Sequence, residues 1–130
     1  MSKTVDVDDL AQAITEEVKK YTDDVSEAIE NEVNETSKDV RKYTKDHSPE
    51  NDGEYKMGWR RRKSIAGGRI EITVYNRKKP SLVHLLEFGH AKVGGGRVRA
   101  YPHLRPGYNK FVPTMEKRIE LIIRNGGGLY

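Results

Sequence analysis

Between Val7 and Lys45, apart from a weak patch at Thr36–Ser37, apolar residues recur at spacings of three and four: Val7, Leu10, Ala11, Ile14, Val18, Tyr21, Val25, Ala28, Ile29, Val33, Val40 and Tyr43. That spacing holds them on one side of a 3.6-residue helix, and no Gly or Pro interrupts the run. The pattern predicts one long helix of roughly 39 residues, on the order of 60 Å at 1.5 Å per residue. Asp6 or Asp8 is placed to cap its start. Asp8, Asp9, Glu16 and Glu17 suit the positive end of the helix dipole, and Lys42 and Lys45 suit the other end. Asn31, Asn34, Thr36 and Ser37 form a stretch of poor helix formers, so the helix either breaks there or projects from the body.

His47-Ser48-Pro49-Glu50-Asn51-Asp52-Gly53 is a turn cluster that ends the helix. Tyr55, Met57 and Trp59 alternate imperfectly through a candidate strand from Tyr55 to Lys63. Arg69 to Asn76 alternates clearly, with Ile70, Ile72 and Val74 on one face and Glu71, Thr73 and Tyr75 on the other. Ala66-Gly67-Gly68 between them reads as a hairpin loop. Pro80 opens a short helix over Ser81 to Phe88, with Gly89 as its C-terminal cap. Val98 to Tyr101 is a candidate third strand. A last helix runs from Pro106 to Arg124, with Phe111, Met115, Ile119 and Ile122 on one side, and Gly126-Gly127-Gly128 ends it. The order predicts an α+β fold with a small antiparallel sheet. It divides into a long acidic helix over 1–47, a basic α+β body over 54–124 and a flexible tail over 125–130, all in one domain.

Charge sharpens this division. Residues 1–54 hold 7 Lys and Arg against 16 Asp and Glu, net −9; residues 55–130 hold 17 against 4, net +13. A chain so polarised is suited to stacking head to tail on copies of itself, or to turning one face toward a charged partner; alternatively, the acidic helix lies against its own basic body. The chain has no cysteine, hence no disulfide framework and no thiolate metal site. No run of about 18 apolar residues is present to cross a membrane. The acidic start lacks the apolar segment of a secretory signal.

Candidate chemistry is sparse. His84, Glu87 and His90 form H-x-x-E-x-x-H, but Gly89 argues against a helix that would carry His90 to the same face, and the zincin spacing differs. Glu87 with His103 could form an acid–base pair, yet no Cys and no Ser between Phe88 and Arg124 supplies a nucleophile. Gly94-Gly95-Gly96-Arg97 lacks the spacing of a phosphate-binding loop and reads instead as a mobile loop that orders on a partner. The densest basic run is Arg60-Arg61-Arg62-Lys63, with Arg77-Lys78-Lys79 beyond it. Tyr55 and Trp59 beside this run suggest phosphate contact with base stacking, although consecutive strand residues point to opposite faces. The residues therefore predict no enzyme, no metal and no cofactor.

The block Leu85-Leu86-Glu87-Phe88-Gly89-His90, the glycine and arginine loop after it, and Pro102-His103-Leu104-Arg105-Pro106 together resemble the HK97 gp10-like family of tailed-phage proteins. The layout around these blocks is similar as well, with a long N-terminal helix and a turn with Ser48-Pro49 and Gly53 before the first strand. The resemblance implies a structural virion protein, a tail-completion or neck component joining the head connector to the tail tube. Such a component would act as a ring, hexamer or dodecamer, drawn from a monomeric pool. It would contact a head-side connector or stopper, a tail terminator or tube protein, and the DNA passing through its lumen without sequence specificity. It would reside in the virion, having assembled in the host cytoplasm. On this resemblance Glu87, Phe88, Gly89, His90, Pro102, His103, Leu104, Arg105 and Pro106 are structural and interface determinants, and Gly94, Gly95, Gly96, Arg97 and Arg99 are the partner-facing loop. Gly107 stands where many relatives would have Ala. The competing class is a small basic nucleic-acid-binding module, resting on Arg60–Lys63 and Arg77–Lys79.

Overall fold

The computed structural model describes residues 3–7, 11–18, 20–50 and 53–127. Ten elements follow in order: β1 (Lys3–Val7), β2 (Ala11–Glu17), α1 (Asp23–Asp46), α2 (Gly53–Met57), β3 (Trp59–Ala66), β4 (Arg69–Asn76), α3 (Pro80–Phe88), β5 (His90–Ala91), β6 (Arg97–Val98) and α4 (Leu104–Arg124). The class is α+β. The main sheet is antiparallel throughout, in the order β1-β2-β4-β3, and β5 pairs with β6 in a separate two-stranded ribbon.

The long helix is real but starts at Asp23, not Val7. Residues 11–17 form a strand along β4, with Ile14 opposite Ile72 and Ala13 opposite Thr73. The spacing Ala11, Ile14, Val18 is helical in the sequence. The partner that overrides it lies nearly sixty residues away, where Ile70, Ile72 and Val74 offer a fully apolar face for Ile14 to join. Thr22 then caps α1, its side-chain oxygen accepting from the Val25 amide at 3.4 Å, with Asp23 and Asp24 in the first turn. Asn34, Thr36 and Ser37 do not break the helix. Ser37 Oγ donates back to the Asn34 carbonyl at 2.7 Å and is fully buried. Asp8, Asp9, Asn51, Asp52 and residues 128–130 lie outside the described residues.

Two other expectations shift. Tyr55 and Met57 belong to the short helix α2, and the strand begins at Trp59. Val98 is in the ribbon, not in a third strand of the main sheet, and α4 begins two residues before Pro106. The hairpin at Gly67-Gly68 is as expected. Both glycines have positive φ, 63° and 74°, which a two-residue turn between twisted strands requires.

Layers follow from the buried stripes. Val25, Ile29, Val33 and Val40 of α1 join Ile14, Ile70, Ile72 and Val74 of the sheet and Val112, Met115, Ile119 and Ile122 of α4 in one core. Helix α1 touches β2, β3 and β4 on one side and α4 on the other, so it is the central layer between sheet and α4. Gly107 of α4 packs directly against α1. A Cβ there would lie 3.1 Å from Tyr43 Cδ1 and 3.2 Å from Thr44 Oγ1.

Candidate functional site

The two motif blocks meet through one carboxylate. Glu87, on the last turn of α3 and only 6% exposed, reaches the start of α4. Its Oε1 accepts from the backbone amides of His103 and Leu104, both at 3.0 Å, and its Oε2 accepts from the amide of Arg105 at 2.9 Å. The first amides of a helix lack intrahelical partners, and the dipole makes that end positive. Residue His103, at the N-cap position, makes no capping bond with its own side chain. Glu87 therefore caps α4 from another helix, and this is what ties the Glu87-Phe88-Gly89 block to the Pro102–Pro106 block.

His103 is fully buried beneath this cap. Its Nδ1 lies 2.7 Å from the Tyr101 carbonyl and 3.2 Å from Glu87 Oε1, and its Nε2 lies 2.5 Å from the Tyr55 hydroxyl. One tautomer satisfies the whole set. Nδ1–H donates to the Tyr101 carbonyl, and Nε2 accepts from Tyr55 O–H. Electrostatics agree. Burial holds the His103 pKa below its ordinary value, against the raising influence of the Tyr101 carbonyl and Glu87. Burial first, and Glu87 second, push the Tyr55 hydroxyl well above its usual range, so it stays a donor. Tyr55, Trp59 and His103 stand edge to face, with ring centroids 5.5 to 5.8 Å apart. The network continues outward: Trp59 Nε1 donates to Ser48 Oγ at 2.8 Å, and Ser48 Oγ donates to the Thr44 carbonyl at 2.7 Å. Asn76 joins it by donating to the Tyr55 carbonyl at 2.7 Å, while its Oδ1 accepts from the amides of Lys78 and Lys79.

Gly89 follows at φ 73° and ψ 177°, and a Cβ there would fall 2.5 Å from the Val98 carbonyl oxygen. The chain thus turns sharply under β6, as only glycine permits. Beyond it the ribbon carries His90 and Ala91 out and Arg97 and Val98 back, with Lys92-Val93-Gly94-Gly95-Gly96 as its tip. Arg97 Nη2 donates to the Phe88 carbonyl at 3.1 Å, and the Tyr101 amide donates to the Leu86 carbonyl at 2.6 Å, fixing the ribbon's base. Val93 at the tip is fully exposed; Phe88 and Tyr101 are partly exposed near the base. Arg105 lies over the Phe88 ring at 5.2 Å, and Arg99, Pro102 and Arg105 are exposed while Pro106 is half-buried.

The acid–base and metal candidates resolve differently from one another. Glu87 and His103 do come together, but their polar atoms are taken up by backbone amides, a carbonyl and Tyr55. His84 instead packs against Phe88, with ring centroids 5.3 Å apart, and His90 lies past the turn at Gly89 on β5. Among the described residues no group of three or more His, Asp or Glu is placed to hold a metal ion. Among them, too, no helix is long and apolar enough to cross a membrane.

The basic run is distributed by the alternation of its strand. Arg61 Nη1 reaches Asn34 Oδ1 at 2.9 Å and Ser37 Oγ at 3.0 Å on α1, and Lys63 lies 3.9 Å from Glu30. Arg62, on the opposite face, covers the Tyr75 ring at 4.9 Å. Arg77 and Lys78 are exposed in the turn, and Lys79 lies 3.9 Å from Glu54. Tyr55 and Trp59 are interior, so the stacking surface expected from them does not exist. Sequence reasoning missed the cleft that α1 and β3 build. It is about 690 Å³ and is lined by Lys38, Arg41, Lys42, Lys45, Arg60 and Arg61, with Asp46. Arg41 Nε donates to the Trp59 carbonyl at 3.1 Å, and Arg60 Nη1 donates to the Met57 and Trp59 carbonyls. These guanidinium charges are thus held on neutral acceptors. Lys38, Arg41, Lys42 and Lys45 at spacings of three and four were the signal, hidden in a helix whose overall charge is acidic.

A second cleft, about 360 Å³, lies between α1 and α4. Glu32, Glu35, Thr36 and Asp39 line it from α1; Phe111, Thr114, Met115 and Arg118 line it from α4. Arg118 Nε holds Glu32 at 2.8 Å across it. The acidic helix does therefore pair with its own basic body, at Glu30 and at Glu32.

No curated protein and no solved structure matches the chain at a significant level. A family model does, over residues 12–89, and its description reads "Bacteriophage HK97-gp10, putative tail-component". The match runs from β2 to the end of α3, including Glu87 and Gly89 but not the α4 amides that Glu87 holds. Covering more than half of the sequence, it settles the family: the chain belongs to the HK97-gp10-like family of bacteriophage tail components.

Proposed function

We propose that the chain is a tail-completion or neck component that forms a ring joining the head-side connector or stopper to the tail terminator or tube. One observation carries this reading. The motif residues Glu87, Gly89 and His103 are spent inside the subunit, while the segment they anchor projects a ribbon whose apolar tip residue, Val93, is fully exposed. A loop that projects from a fixed base and leaves its tip uncovered suits a docking element that meets a partner. The uneven charge of the two halves of the chain supplies unlike faces, which a closing head-to-tail contact needs. The subunit assembles in the host cytoplasm and takes its place in the virion. DNA passes through its lumen without being read.

Size-exclusion chromatography with light scattering tests this, on the chain alone and after mixing with purified tails or DNA-filled heads. A closed ring, or a monomer recruited to one particle end, agrees with the reading. A monomer that ignores both ends refutes it. A nucleic-acid-binding role is favoured by the basic cleft alone. It requires that duplex DNA binding persist at about 150 mM salt and fall when Arg41 and Arg60 are replaced by Ala.

A further inference from the structure

We propose that the β5–β6 ribbon of one copy docks in the α1–α4 cleft of the next copy, with Val93 toward Phe111 and Met115 and Lys92 beside Asp39. This deepens, and rests on, the ring reading above. Three observations converge. First, the ribbon tip Lys92-Val93-Gly94-Gly95-Gly96-Arg97 is exposed throughout, and Val93 has no cover from its own chain. An isolated two-stranded ribbon of this size gains little from its own pairing, so a partner that covers it adds stability that the free ribbon lacks. Second, the cleft has the complementary make-up. Met115 and Thr36 are buried at its floor, Phe111 is half-buried at its wall, and Glu32, Glu35 and Asp39 supply three carboxylates. Third, the charges leave a place for a cation. Arg118 is taken by Glu32 and Lys38 by Glu35, whereas Asp39 has no cationic partner among the described residues. A ribbon carrying Lys92 and Arg97 around an apolar residue brings a charge to Asp39 and a side chain to the apolar floor.

The contact is heterologous, since ribbon and cleft are different surfaces of one subunit. It repeats around a ring and closes by rotation. The glycine tip serves it in two ways. It lets the backbone approach the helices closely, and it orders on docking, while the base stays fixed by Arg97 on the Phe88 carbonyl.

The chain has no cysteine, which gives a clean test. Copies carrying Val93→Cys are mixed with copies carrying Phe111→Cys, the position Val93 is proposed to face, under assembly conditions and oxidised. A disulfide between the two copies is expected, because docking brings the positions within bridging distance. Mixing Val93→Cys with Ser64→Cys, on the exposed part of β3, is the control. In parallel, Lys92→Glu and Asp39→Lys should each weaken self-association at least about tenfold, and the two together in one chain should restore it. If the wild-type chain forms a ring while the cross-link does not exceed the control and the charge swaps change nothing, the ribbon contact is wrong and the ring stands. If the wild-type chain stays monomeric alone and at both particle ends, the ring reading fails and the contact with it. A Val93→Cys cross-link that forms only to a different virion protein overturns docking between copies.

Discussion

Replacing Glu87 by Gln keeps its shape and removes its charge, and so isolates what the carboxylate does for α4. The wild-type side chain accepts three backbone N–H groups, two on Oε1 and one on Oε2. The amide keeps one acceptor oxygen. If it faces His103 and Leu104, its NH₂ points at the Arg105 amide, donor against donor, and one N–H at the helix start is left unpaired. Bonds to a charged acceptor contribute about 1.5–3 kcal/mol each, and an unsatisfied buried amide costs about 1–3 kcal/mol. The two bonds that remain also lose their charge assistance and their interaction with the helix dipole, worth about 0.3–1 kcal/mol. The net loss should be about 2–4 kcal/mol. With a urea m-value of about 2 kcal/mol/M, the unfolding midpoint should fall by about 1–2 M. Glu87→Asp should lose nearly as much, because the shorter side chain cannot span all three amides. Equilibrium urea unfolding followed by far-ultraviolet circular dichroism reads both. A Gln variant within about 0.5 kcal/mol of wild type, with an unchanged m-value, would show that the start of α4 is satisfied by other means.

Three further expectations follow from the same geometry. Gly89→Ala should cost at least about 2 kcal/mol by urea unfolding, since a side chain meets both the positive φ and the Val98 carbonyl. Gly107→Ala should change stability by less than about 1 kcal/mol, its gain in helix propensity offsetting contacts of 3.1 and 3.2 Å, whereas Gly107→Leu should cost more than about 2 kcal/mol by forcing α1 and α4 apart; thermal melting separates the two. Acid should destabilise the protein through His103. Its pKa is depressed in the folded state, so between that value and about 6.5 the unfolded chain binds the extra proton. Stability is full above about pH 6.5 and falls below it by up to about 1.4 kcal/mol per pH unit. His103→Gln should lower stability at pH 7.5 yet flatten this slope, as urea midpoints from pH 7.5 to 5.5 would show.

The sequence made the α+β class, α1 beyond Asp23, the Gly67-Gly68 hairpin and both later helices legible, because each rests on local periodicity or turn chemistry. It hid β2, where Ile14 and Val18 fit a helical spacing and Glu16 occupies a buried position that an alternating strand reading would assign to an apolar residue. Only pairing with β4 decides that segment. The signal for the true helix start, Thr22 followed by Asp23 and Asp24, was present and local. The motif blocks stood out as unusual residues, but their linkage did not. Glu87 read as a candidate partner for His84, His90 or His103, whereas its carboxylate is taken up by the backbone amides of residues 103–105, which no side-chain pattern announces. The basic run misled for a related reason: strand alternation sends Arg61 and Arg62 to opposite faces, and the residues that complete the cleft come from a helix that reads as acidic.

Strand β3 forms one edge of the main sheet, and its four consecutive cations, Arg60 to Lys63, lie along that edge. An open edge is a template on which a second copy can add strand to strand, giving aggregates of no fixed size. Four like charges in register with four more repel such a neighbour. The β3 edge is thereby made a poor place for a second copy to add a strand, so growth of the sheet from that side is opposed by charge alone.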